Sequence, residues 1–299
     1  MNAPHQPLIS YAALERAFSA PRLRAYQDPQ DRDESDGIAR YLWNLALVAA
    51  LQPALHSLEI AFRNEIARVA ARITAKRQFS VDRIPSWLDA APSMLMENEL
   101  RKVLDARERL GSDTRRWTEG HLIAKLDFGF WVALCRDSYS DTRGEGPRLW
   151  PRALDQAFQK RPKSVTTRAE VFHRFDRIRK YRNRVAHHEP IWDRGYLEEH
   201  DHILDSLGWI SPRLAEALRE LSPAPAVFSA GPDAYRPHAE MLLGSEAGLR
   251  ALPMGRFNAL GRDRQRMVAE VIEMLIAAPD TDAKEVVRAW VELATSAGG

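Results

Sequence analysis

The chain has 299 residues, which at roughly 150 residues per domain leaves room for about two domains. With 43 Lys and Arg against 41 Asp and Glu its formal net charge is +2, so the whole molecule is no polyelectrolyte and any basic surface must be local. A hydrophobic fraction of 45% with 28% charged residues excludes a mostly disordered chain. The single Cys135 excludes an intramolecular disulfide and a cysteine-based zinc site, which fits a reducing, cytoplasmic compartment. The first residues lack the basic start and apolar run of a signal peptide. The longest apolar stretch, 41–51, spans about eleven residues, short of the roughly twenty a membrane helix needs, so no membrane association is expected.

In chain order, helices are predicted over 10–18 and 34–50. The apolar stripe Leu51, Leu55, Leu58, Phe62, Ile66, Val69 and Ile73 then marks a core helix that Pro53 opens near its first turn. Further helices are predicted over 93–110, 119–137, 167–188 and 196–221, the last broken where Ser211-Pro212 supplies an N-cap and a first-turn proline. No period-two run bounded by turn residues argues for a sheet, so the predicted class is all-α. Pro223, Pro225, Pro232 and Pro237 with Gly231 read as a linker or extended loop over 223–237. Beyond it, helices over 262–278 and 282–295 form a small C-terminal segment, the second opened by Asp282 and Glu285 at capping-box spacing. The expected division is therefore 1–222, 223–237 and 238–299, and removing residues past about 222 should leave a folded dimer.

Local charge is concentrated over 160–188, where ten Lys and Arg face only Glu170 and Asp176, an excess of +8. Thr167 and Glu170 have capping-box spacing and Pro190 disfavours helix at Glu189, which bounds a basic helix of about twenty residues. Its stripe of Val171, Phe175, Ile178 and Val185 places Arg182 one i+4 step from Ile178, where an apolar residue is expected, and a buried guanidinium needs an anionic partner. Asn183 and His187 share one face, whereas Arg182 lies about 140° around the helix from His187. The plain reading has Arg182 snorkelling or pairing with a carboxylate, and His187 and His188 complementing the negative end of the helix dipole.

The string Tyr-Arg-Asn-Arg-Val-Ala-His-His-Glu-Pro-Ile-Trp at 181–192 resembles the Arg-x(4–6)-His signature of the HEPN superfamily, in the form found in Abi-like (abortive-infection) proteins of bacteria. Two further strings look like the same family: Leu-Glu-Ile-Ala-Phe-Arg-Asn at 58–64 and Leu-Asp-Phe-Gly-Phe-Trp at 126–131. Together they cover roughly 35–210, leaving the C-terminal segment outside. The resemblance implies a HEPN-like helical bundle that pairs as a homodimer, joins two copies of the motif in one cleft and, in active members, cuts RNA without a metal or cofactor. Arg182, Asn183 and His187 match the motif, with His188 as the alternative histidine.

The residue types suit that chemistry. Imidazole, with an unperturbed pKa near 6.5, gives or takes a proton at neutral pH, and guanidinium stays charged and holds phosphate oxygens bidentately. A histidine would assist attack by the ribose 2′-OH or protonate the leaving 5′-oxygen, Arg182 would neutralise the phosphorane, and Asn183 would orient either group. Arg174, Arg177, Arg179, Lys180 and Arg184 are candidates for binding RNA phosphates. Glu59 and Arg63, an i, i+4 pair, are read either as plain helix stabilisation or, for Glu59, as the partner of an arginine such as Arg182. Phe128, Phe130 and Trp131 are read as core, and His200 and His202 as solvated, since a helix sets them about 200° apart. No His-Glu-x-x-His, phosphate loop or nucleophile elbow is present. The expected function is a metal-independent endoribonuclease and anti-phage effector. The alternative is a non-catalytic HEPN module that binds RNA or a partner, with a regulatory RNA or protein conceivable in either case.

Overall fold

The computed structural model describes residues 9–75, 87–88, 95–113, 116–140 and 149–243. These are mostly helical and include no strand, as an all-α protein requires; a single isolated bridge links Ser140 and Trp150 among the described residues. The helices predicted over 262–278 and 282–295 lie outside the described residues. Two compact units emerge: the described residues up to 50, 190–194 and 223–243 form the first, and those within 51–189 and 195–222 the second.

One helix serves both. The sequence predicted a break at Pro53, but α3 (Glu34–Ala75) runs unbroken for 42 residues with Pro53 inside it. The proline is exposed, while Leu47 and Leu51 before it and Leu55, Leu58 and Phe62 after it are buried. Apolar packing on both sides outweighs the one backbone hydrogen bond a proline removes. By length and composition α3 could also cross a membrane, its most apolar window reaching a mean hydropathy of 1.5, which counting one uninterrupted apolar run missed. The core helix of a folded domain meets the same test.

In the first unit α1 (Tyr11–Phe18) starts at Ser10, whose hydroxyl accepts from Ala13 N, and α2 (Ala20–Arg24) follows it directly. Their core is Ile9, Leu14, Leu23, Ile38, Ala39 and Ala239. The stretch 223–237, expected as linker or extended loop, is instead α11 (Ala224–Ala230), a 3-10 turn over Pro232–Tyr235 and the start of α12 (Arg236–Leu243). Its prolines stand at or beside helix starts, where no backbone donor is needed, so they punctuate helices and do not forbid them. Trp43 Nε1 donates to Val227 O at 2.8 Å, and Ile9 N to Leu242 O at 3.1 Å, so this stretch is part of the unit and no tether. Buried Asn44 donates to Tyr26 Oη at 3.1 Å and accepts from Ile191 N at 2.8 Å, which fixes the 190–194 segment.

The second unit holds α4 (Glu97–Leu110), α5 (Glu119–Lys125), α6 (Phe128–Ala133), α7 (Arg152–Ala157), α8 (Arg168–Ala186), α9 (Tyr196–Gly208) and α10 (Pro212–Leu221) around the C-terminal part of α3. The one helix expected over 119–137 is two, because Asp127 accepts from Phe130 N at 2.6 Å and caps a new start. The break at Ser211-Pro212 is present, although the Ser211 side chain makes no capping bond. Phe128, Phe130 and Trp131 are buried core, as read from their spacing. Phe62 stacks on Phe175 at 4.1 Å, and Phe158 and Trp209 pack on Phe175 at 5.5 and 6.1 Å.

Candidate functional site

The site is built on α8. Its start follows the capping box: Thr167 Oγ1 accepts from Glu170 N at 3.2 Å, and the Glu170 carboxylate accepts from Thr167 Oγ1 and N at 2.8 Å and Thr166 N at 2.9 Å. Those bonds, the Thr167 hydroxyl foremost, hold Glu170 below the usual carboxylate range.

The helix ends at the candidate histidines. His187 is the cap, its N–H bonded to Asn183 O at 2.9 Å. His188 N then donates to Val185 O at 3.2 Å and Glu189 N to Arg184 O at 2.9 Å, the two bonds of a Schellman turn. His188 takes the left-handed position of that turn, φ 56°, where glycine is the usual residue and any β-carbon costs roughly 1–2 kcal/mol. Both histidines are exposed.

Arg182 corrects the predicted stripe. From Ile178 the buried face steps by three to Tyr181 and then to Val185, so Arg182 lies beside the stripe with its side chain 41% exposed. Its Nε stands 3.5 Å from Glu59 Oε2 of α3, the second of the two roles considered for Glu59. Arg63, one turn further on, takes no part in that pair, and its buried Nε makes no hydrogen bond among the described residues.

The basic face is more neutral than its sequence suggests. Arg177 donates to Glu199 at 2.7 Å and Glu198 at 2.9 Å, Arg179 and Lys180 share Asp176 at 2.7 and 2.9 Å, and Arg184 pairs with Glu189 at 3.2 Å. Arg174 lies 5.4 Å over the Trp209 ring. Burial pushes the Asp176 carboxyl up, but Lys180 and Arg179 outweigh it and leave its pKa lowered. The +8 counted along 160–188 is thus offset by Glu59, Glu189, Glu198 and Glu199, which the fold brings in from outside that stretch. Close approach of α6 helps hold Arg179: a β-carbon at Gly129 would lie 3.1 Å from Asp127 Oδ1 and 3.7 Å from Arg179 Cδ.

His200 is not solvated, and His202 is only partly so, its side chain 21% exposed. His200 is buried, with Nε2 2.8 Å from Ser222 Oγ, and burial lowers its pKa against the pull of Asp201. His202 stands 3.8 Å from Glu198 and 3.9 Å from Glu199, with burial first, then Arg174 and Arg177, lowering its pKa. Sequence reasoning weighed His200 and His202 beside Asp201 and Glu199 and read them as solvated, without pairing His202 to Glu198 and Glu199, although these stand at the i, i+4 and i, i+3 spacings that signal one helix face. No group of three or more His, Cys, Asp or Glu is placed to hold a metal ion among the described residues.

Comparison with models of protein families, with curated proteins and with solved structures finds no match to this chain. The reading therefore rests on the site itself and on the resemblance of its strings.

Proposed function

We propose that the chain is a metal-independent endoribonuclease of the Abi-like HEPN class, an abortive-infection effector that cuts RNA through the substrate's own 2′-OH. What carries this reading is the C-terminal end of α8, where a half-exposed guanidinium pairs with Glu59 and two exposed imidazoles follow about 7.5 Å further along the axis. Arg182 would hold the phosphate. One histidine takes the 2′-OH proton while the P–O2′ bond forms, and a proton returned to O5′ lets the P–O5′ bond break. Arg182 and His187 lie about 140° apart on one helix, so a second copy of the chain would supply the groups that one copy cannot converge.

The test is purified protein with mixed RNA in chelator. Fragments should end in 2′,3′-cyclic phosphate and 5′-hydroxyl, and DNA should bind without being cut. His187→Ala should cost about 10²–10⁴ in rate with RNA affinity nearly unchanged. His188→Gly relieves the left-handed strain and should raise stability by about 1 kcal/mol, and loss of activity in that variant would transfer the acid-base role to His188. RNA that is shifted and never cut selects the non-catalytic binding module, and 5′-phosphate ends refute the mechanism.

A further inference from the structure

We infer that His202 is a proton-operated latch on the basic face of α8: neutral, it leaves Glu198 and Glu199 to hold Arg177; protonated, it takes a share of both carboxylates and frees the Arg177 guanidinium for a phosphate. The inference rests on the reading of α8 as an RNA-binding surface and concerns its regulation.

The geometry is that of one cation pair contending for one carboxylate pair. Glu198 Oε1 lies 2.9 Å from Arg177 Nη2 and 3.8 Å from His202 Nε2, while Glu199 gives Oε1 to Arg177 Nε at 2.7 Å and turns Oε2 toward His202 Nδ1 at 3.9 Å. Glu199 Oε2 and His202 Nδ1 are both buried and make no hydrogen bond among the described residues, so a proton on Nδ1 gives each a charge-assisted partner. From α8, Arg174 and Arg177 face the same imidazole; Arg174 is spread over Trp209 with its buried Nη1 making no hydrogen bond among the described residues. On the α10 side, Arg219 is held by Asp201 and Asp205 at 2.8 Å and does not contend. Two arginines and two glutamates sum to zero; protonated His202 brings the cluster to +1. Burial and the two arginines keep His202 below its ordinary pKa, so the latch stays closed at neutral pH and opens on acidification.

Binding of a single-stranded oligouridine, read against salt at about pH 7.5 and about pH 5.5, tests this for wild type and His202→Gln. One additional phosphate contact at the lower pH should steepen the log K against log salt slope by about 0.7 in wild type only. The Arg177 Nε–Hε resonance in NMR, which needs no RNA, should move with a titration that His202→Gln abolishes. Equal pH dependence in both proteins, or an Arg177 signal indifferent to that titration, overturns the latch. If neither protein binds RNA while the Arg177 signal still follows His202, the latch stands and the RNA-binding reading fails.

Discussion

The two units solve the problem of cohesion differently. In the second, Phe62, Phe158, Phe175 and Trp209 form a continuous aromatic centre, and the charged or titratable groups it buries, Glu99, Glu199 and His200, are few beside it. In the first, charge is part of the interior. Arg236 reaches Asp33 at 2.7 Å, Glu240 at 2.8 Å and also Asp36, while Arg32 bonds Asp36 at 2.7 Å and Asp233 at 3.0 Å, so the start of α3 is laced to α12 and the turn before it. Asp36 and Glu240 are buried. An aromatic centre loses stability through voids and is indifferent to pH, whereas a charge lattice tolerates shape change and fails when one sign is removed.

The largest effect that separates them is Phe62→Ala. Phe62 is fully buried and meets Phe128, Phe158 and Phe175, so its loss should cost about 3–5 kcal/mol in urea unfolding, confined to probes of the second unit. A loss under about 1.5 kcal/mol would mean the centre repacks and the contrast is weaker than drawn.

Next comes the lattice. Arg236→Met leaves Glu240 and Asp33 without their arginine and should cost about 2–3 kcal/mol in the first unit alone. Acid should do the same. The Arg32 hydrogen bond, which outweighs burial, lowers Asp36, and burial of Asp33 and Asp31 is outweighed by bonds from Arg236 and Arg40 respectively. Folded-state pKa values below the unfolded ones stabilise the protein above about pH 4, and that contribution is lost as pH falls through the lowered values. Hydrogen exchange at stepwise lower pH should therefore open α12 and the start of α3 below about pH 4 in wild type, with little further acid sensitivity in Arg236→Met. Simultaneous opening of both units would show that the lattice is not what titrates.

Much of this was legible in the chain. The all-α class, the α8 capping box and the break before Pro212 follow from periodicity and capping spacing, and the Glu59 to Arg182 pairing was one of two readings left open there. What was not legible depends on long-range partners. Pro53 reads as a helix start because its cost is local, while the burial that overrides it comes from α3 packing on both sides. The prolines of 223–237 read as a linker because nothing local shows that Trp43 and Asp36 will bind that stretch. Arg182 was set on the buried stripe by a choice between steps of three and four that only packing of Tyr181 decides. The charge of α8 was overcounted for the same reason, since Glu198, Glu199 and Glu59 lie far from it in sequence.

The smallest expected effect probes that overcount directly. Asp176, its side chain 16% exposed, shares its carboxylate between Arg179 and Lys180, which are 29% and 69% exposed, so the contribution of the exposed Lys180 to folding is small, about 0–1 kcal/mol. Asp176→Asn keeps the shape and removes the charge. Stability should change by less than about 1 kcal/mol while both cations become available to a polyanion, which should tighten oligouridine binding and steepen its salt slope by up to about 1.4, two contacts at 0.7 each. The ordering of effects is itself informative: substitutions that cost the most folding energy should leave the salt slope unchanged, and this one should do the reverse. An Asp176→Asn protein that binds no more tightly would show that Arg179 and Lys180 do not face the nucleic acid, and the basic surface would shrink to Arg174, Arg177, Arg182 and Arg184.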